Sequence, residues 1–62
     1  MSIPTVVRVI VEGAHDTTKG RIYEVDKEDT LNCFTDESAV WIKEDDIGEK
    51  YYLYASEYEV VA

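Results

Sequence analysis

A chain of 62 residues with a single cysteine, Cys33, has to fold without an internal disulfide. Chains of this size bury only about 60% of the surface their unfolded forms expose, so a small core must be economical or be supplemented by self-association. A structural metal is not expected, because the one histidine, His15, and the one cysteine stand far apart rather than in a ligand cluster. No other cofactor is implied. The hydrophobic fraction of 45% is ordinary for a folded domain, and five tyrosines and one tryptophan supply bulk that few residues would otherwise give. The chain is therefore read as one domain over residues 1–62.

The pattern of apolar residues is that of strands. Thr5 to Glu12 reads T-V-V-R-V-I-V-E, in which five of eight residues are β-branched aliphatics, so a first strand with both faces partly buried is expected. Gly13 to Gly20 is a glycine-bounded loop. Arg21 to Val25 reads as a second strand, with Tyr23 and Val25 on one face and Ile22 on the other. Asp26 to Thr30 reads as a charged turn and Leu31 to Thr35 as a third strand. Asp36-Glu37-Ser38 turns the chain into a fourth, Ala39 to Lys43. Glu44 to Glu49 is a tight connection with Gly48 at positive φ. Tyr51 to Tyr54 makes a fifth strand, a 3₁₀ turn is expected near 55–57, and Tyr58 to Val61 closes the series. Five to six short antiparallel strands with no helical-period segment indicate an all-β small barrel or a pair of orthogonal sheets.

Charge narrows the function. Fourteen acids against six bases give a net charge of −8. Up to Tyr23 there are three bases and two acids; beyond it there are twelve acids and three bases. Such a field repels phosphate backbones and anionic lipids and attracts basic surfaces, so direct nucleic-acid or membrane binding is not expected. No apolar run approaches the roughly 18 residues of a membrane span. Met1-Ser2-Ile3-Pro4 lacks the basic start and apolar stretch of an export signal, and with one free thiol the expected compartment is the cytoplasm.

Catalytic signals are weak. His15 lies beside Asp16 with no nucleophile near in sequence, and reads as an exposed loop histidine. Cys33 reads as a small core residue. The Glu44-Asp45-Asp46…Glu49 run lacks the alternating ligands of an EF-hand loop and reads as a solvated turn. No phosphate-cradling glycine loop is present. The chain is read as a binding protein, not an enzyme. Two groups of residues are candidates for a partner surface. The acidic group is Glu24, Asp26, Glu28, Asp29, Asp36, Glu37, Glu44, Asp45, Asp46 and Glu49, placed in or beside turns where exposure is expected. The aromatic group is Trp41, Tyr52, Tyr54 and Tyr58. On a strand Tyr52 and Tyr54 share one face while Tyr51 and Leu53 share the other, so one pair is core and one is exposed.

Lys19-Gly20-Arg21-Ile22-Tyr23-Glu24-Val25 resembles the stretch entering the second strand of SH3 domains. Trp41, Gly48 and Leu53-Tyr54-Ala55-Ser56-Glu57-Tyr58-Glu59-Val60 resemble their W…G…P-S-N-Y-V ending. The resemblance implies an SH3-like barrel. It does not extend to the ligand ridges: Thr5-Val6-Val7-Arg8-Val9 stands in place of A-L-Y-D-Y, and Ala55 in place of the proline, so polyproline binding is not expected. Gly20-Arg21-Ile22-Tyr23-Glu24-Val25 and Tyr58-Glu59-Val60-Val61 also resemble short bacteriophage and prophage proteins. That resemblance implies a phage-encoded inhibitor, which blocks the basic site of a host nucleic-acid-handling or defence protein by electrostatic mimicry. The alternative is a structural or assembly adaptor working through a tyrosine face, in a homo-oligomer or with another protein.

Overall fold

A computed structural model describes residues 3–32 and 39–62. Its elements in chain order are β1 (Val6–Val9), β2 (Ile22–Glu24), α1 (Lys27–Leu31), β3 (Val40–Ile42), β4 (Tyr51–Leu53), a 3₁₀ turn (Ala55–Glu57) and β5 (Tyr58–Val60). Two antiparallel sheets result, one in the order β2-β1-β5 and one made of β3 and β4.

Side-chain alternation sets the register. Val7 and Val9 point inward from β1 and have no exposed surface, while Arg8 stands on the other face opposite Glu59 of β5 and bonds it at 2.7 Å. Val7 pairs with Tyr23, which brings the inward side chains of β2 onto the same face. Tyr23 and Val25 are buried and Ile22 is exposed, as the alternation in β2 requires. In the second sheet Val40 pairs with Leu53 and Ile42 with Tyr51, and these side chains meet the first sheet in a common core. Val7, Val9, Ile42 and Leu53 are its largest fully buried side chains.

The sheets are joined where β2 ends. Val25 bridges to Ile42, Asp26 N–H donates to the Trp41 carbonyl at 2.8 Å, and Lys43 N–H donates to the Glu24 carbonyl at 2.9 Å. A closed barrel is not found among the described residues. The strands are mostly two sheets with one seam, so the expected all-β character holds at that coarser level.

One element departs from the sequence reading. The sequence pattern implies a turn over Asp26 to Thr30 leading into a strand at Leu31, but Lys27–Leu31 is a helical turn. Asp26 is its N-cap, accepting the Asp29 N–H at 3.0 Å, and the acids Glu28 and Asp29 sit in the first turn, where the backbone N–H ends favour negative charge. Thr30 fastens the helix to the second sheet: its hydroxyl donates to the Asp26 carbonyl at 2.7 Å and accepts the Trp41 N–H at 2.9 Å. Cys33 to Ser38, which hold the rest of the expected third strand and the Asp36-Glu37-Ser38 turn, lie outside the described residues.

Candidate functional site

Trp41 and Tyr52 are directly paired across β3 and β4, on the face turned away from the core. Their ring centroids are 5.3 Å apart, tilted at 58°. Tyr52 meets Tyr54 edge-on, with centroids 5.2 Å apart at 87°. Three of the four expected aromatic residues thus form one continuous run, of which the Tyr52–Tyr54 pair has the edge-to-face geometry that ring quadrupoles favour. Tyr54 is the most open of the three, with 54% of its surface exposed. Its backbone is held independently of its ring, since Tyr54 N–H donates to Glu57 Oε1 at 2.8 Å and Glu57 N–H to the Tyr54 carbonyl at 2.9 Å. Tyr58 is not part of the run. It lies in β5 on the other sheet and packs against the core. The question left by the alternation in β4 is answered: Tyr51 and Leu53 face the core, Tyr52 and Tyr54 face outward.

The acids divide more sharply than their sequence clustering implies. Glu28, Glu44 and Glu49 are exposed and engage no cation among the described residues. Glu24 pairs with Lys43 at 3.3 Å, and both line an open concavity of about 400 Å³ with Arg21, Tyr23 and Glu44, so that hollow carries both signs of charge. Asp26 and Asp29 share Lys50, whose amine lies 3.3 Å from Asp26 Oδ2 and in contact with Asp29 Oδ2. The Asp29 N–H, and after it Lys50, hold the Asp26 carboxyl below the ordinary carboxylate value. Hydrogen bonds from Lys50, first to Asp29 and then to Asp26, raise the lysine in turn. Asp36 and Glu37 lie outside the described residues.

Asp46 is the centre of a long-range network that the sequence did not announce. Its Oδ2 accepts the Thr18 hydroxyl at 2.6 Å, and its Oδ1 accepts both Arg21 Nη1 and the Tyr23 hydroxyl at 2.7 Å. The Thr18 and Tyr23 hydroxyls, followed by the Arg21 charge, lower the Asp46 carboxyl. Burial, reinforced by the bond to Asp46, pushes the Tyr23 hydroxyl up. Thr18 N–H donates back to the Tyr23 oxygen at 2.8 Å, and the Arg21 guanidinium lies 5.6 Å from the centre of the Tyr23 ring. This ties the Gly13–Gly20 loop to the turn after β3.

Asp45 corrects an expectation. Placed with the exposed acids by sequence, it is buried, with 7% of its surface exposed. Its Oδ1 accepts the Ile47 N–H at 3.0 Å and the Glu49 N–H at 2.9 Å, closing the turn that Gly48 completes at φ +83°. Oδ2 has no hydrogen-bond partner among the described residues. Facing it is His15, in the left-handed region at φ +49°, stacked on Tyr51 with centroids 4.8 Å apart and planes 11° from parallel. His15 Nδ1 is 3.1 Å from Asp16 Oδ2 and 4.0 Å from Asp45 Oδ2. Burial, then the charge of Glu57, raises the Tyr51 hydroxyl.

In comparison with known proteins, no family model, no curated protein and no solved structure matches the chain. The SH3 and phage resemblances therefore rest on the quoted motifs. No helix among the described residues is long and apolar enough to cross a membrane.

Proposed function

We propose that this protein is a non-catalytic binding module, which docks a basic protein surface against the outer face of β3 and β4. The observation that carries the reading is the run Trp41–Tyr52–Tyr54 on the face away from the core. Tryptophan and tyrosine are the residues that concentrate binding energy at protein interfaces, and their faces attract arginine and lysine. A net charge of −8 adds long-range attraction for such a partner, raising the encounter rate before contact is made. Four of the six basic side chains, Arg8, Arg21, Lys43 and Lys50, are already held by acids of this chain, so little positive charge opposes that attraction.

We read the module as an SH3-like small barrel in plan. Five strands with β1 beside β5, a seam from β2 to β3, and a 3₁₀ turn between β4 and β5 support that plan. In this reading the protein is cytoplasmic and phage-encoded, and occupancy of the basic site of a nucleic-acid-handling host protein is inhibitory. The second reading, an adaptor that joins two proteins without blocking either, is favoured by the same aromatic run, because that contact does not require the acids to imitate phosphates.

Titration with arginine-rich and lysine-rich peptides, followed by Trp41 fluorescence, tests the docking. Saturable binding is expected, weakened at least tenfold by Tyr54→Ser, with a rate of association that falls as salt rises. Binding unchanged in Tyr54→Ser and in Trp41→Ala would sink the aromatic face. Competition by nucleic acid for a captured partner separates the inhibitor from the adaptor.

A further inference from the structure

We infer that His15, Asp16 and Asp45 form a binding site for a divalent first-row transition-metal ion such as zinc. Each of the three residues offers one ligand atom, a ring nitrogen or a carboxylate oxygen, and these atoms all lie within 4.8 Å of one another. Tetrahedral zinc holds nitrogen and oxygen ligands about 2.0–2.2 Å away, which sets neighbouring ligands roughly 3.3 Å apart. The 3.1 Å between His15 and Asp16 already fits, and the 4.0 Å between His15 and Asp45 is within about 1 Å of that spacing. The fourth position is left for water.

The independent observation is the state of Asp45. An ionised carboxylate oxygen that is buried without a hydrogen-bond donor is costly, and a cation in front of it removes that cost. Asp45 Oδ2 is in that position, with a side chain only 1% exposed. Its other oxygen is fixed by the Ile47 and Glu49 N–H groups, so the free oxygen is held pointing toward His15. Tyr51 fixes the imidazole plane by stacking on it. These are the supports that oriented metal ligands usually have. The backbone is also preset, since Asp46 N–H donates to the Asp16 carbonyl at 2.8 Å and holds the two ligand segments side by side.

One imidazole nitrogen with two carboxylates favours zinc and its neighbours over calcium, which takes six to eight oxygens, and over magnesium, which keeps most of its waters. The site is separate from the aromatic face. Its role is to clamp the Gly13–Gly20 loop to the turn after β3; the sequence expects no metal, since its one histidine and one cysteine stand apart and the 44–49 acids lack EF-hand spacing.

Calorimetric titration of the metal-free protein with zinc chloride at neutral pH, with magnesium and calcium chloride in parallel, tests the assignment. One equivalent of zinc is expected at micromolar Kd, with at least a hundredfold preference over the other two ions. The midpoint of thermal unfolding should rise by about 11–22 °C when free zinc is in hundredfold excess over Kd. As the only histidine, His15 should show a metal-dependent Nδ1 chemical-shift change in nitrogen-15 spectra. His15→Asn, whose backbone tolerates the left-handed region, and Asp45→Asn should each lower affinity at least tenfold, whereas Cys33→Ser should leave it unchanged. Absence of saturable binding below 1 mM overturns the site. So does binding that survives both ligand substitutions, or binding that Cys33→Ser abolishes.

Discussion

The two acidic runs at 26–29 and 44–49 look alike in sequence and are used in opposite ways. In the first, Asp26 caps a helical turn and shares Lys50 with Asp29, and the side chains concerned remain in contact with solvent. In the second, Asp45 is buried and shapes the turn from within, while Asp46 reaches back to Thr18, Arg21 and Tyr23. The first run combines a local helix cap with an exposed link to Lys50 near the start of β4. The second holds two distant segments together where no strand pairing does so. Clustered acids are the signal in both; burial of Asp45 and the convergence of Thr18, Arg21 and Tyr23 on Asp46 are what separate them.

Breaking the second run should therefore cost more than breaking the first. The largest expected effect is that of Asp45→Ala, which leaves the Ile47 and Glu49 N–H groups without their acceptor; urea unfolding should report a loss of about 1–3 kcal/mol in metal-free buffer. Asp45→Asn sharpens the point. It keeps an acceptor at Oδ1 and replaces the unpartnered charged oxygen with a neutral amide, so without metal it should be neutral or stabilising. A loss in Asp45→Asn equal to that in Asp45→Ala would mean that the charge itself is needed.

Asp46 comes next, and its signature is pH. Its carboxyl is lowered in the folded state, so its contribution is fully present above the ordinary carboxylate value of 3.8 and is lost as pH falls through the lower folded value. Urea unfolding from pH 6 down to pH 2 should show stability falling below about pH 4, with a shallower fall in Asp46→Asn. Identical slopes in the two proteins would remove Asp46 from the account of acid unfolding. Asp26 has the same sign but a smaller role: Asp26→Ala should lower the thermal midpoint by about 4–8 °C, as loss of an N-cap does in a small domain. The smallest effect belongs to Lys50→Met, because its ion pairs are solvent-exposed; a shift of no more than a few degrees is expected, shrinking further in high salt.

Much of the fold was legible because β-structure writes itself in alternation. The inward positions Val7, Val9, Tyr23, Val25, Val40, Ile42 and Leu53 all stand where a period of two puts them, and the 3₁₀ turn stands at the expected residues. The helix at Lys27–Leu31 was not legible from periodicity, because five residues offer no apolar stripe. Its signal was the cap: Asp26 followed three residues on by Asp29, an acid where a capping box carries one. Nor could the sequence separate Asp45 from Glu44 or Asp46. His15, which faces that carboxylate, comes from a distant loop, and a cluster of acids reads as solvated whenever its distant neighbours are unknown. The aromatic face was half legible. Alternation put Tyr52 and Tyr54 together, but only strand pairing adds Trp41 and removes Tyr58.

The position of β1 between β2 and β5 has a consequence for the chain as it is made. One neighbour follows soon after; the other is the last strand described, and at about 5–20 residues per second the ribosome delivers it seconds later. For that interval one edge of a valine-rich strand is open to any passing β-segment, and V-V-R-V-I-V is the kind of sequence that pairs between nascent chains. Arg8 is the only charge in those six residues. A charge so placed is the kind that discourages identical strands from pairing before Glu59 is made, and in the folded chain it is neutralised by Glu59.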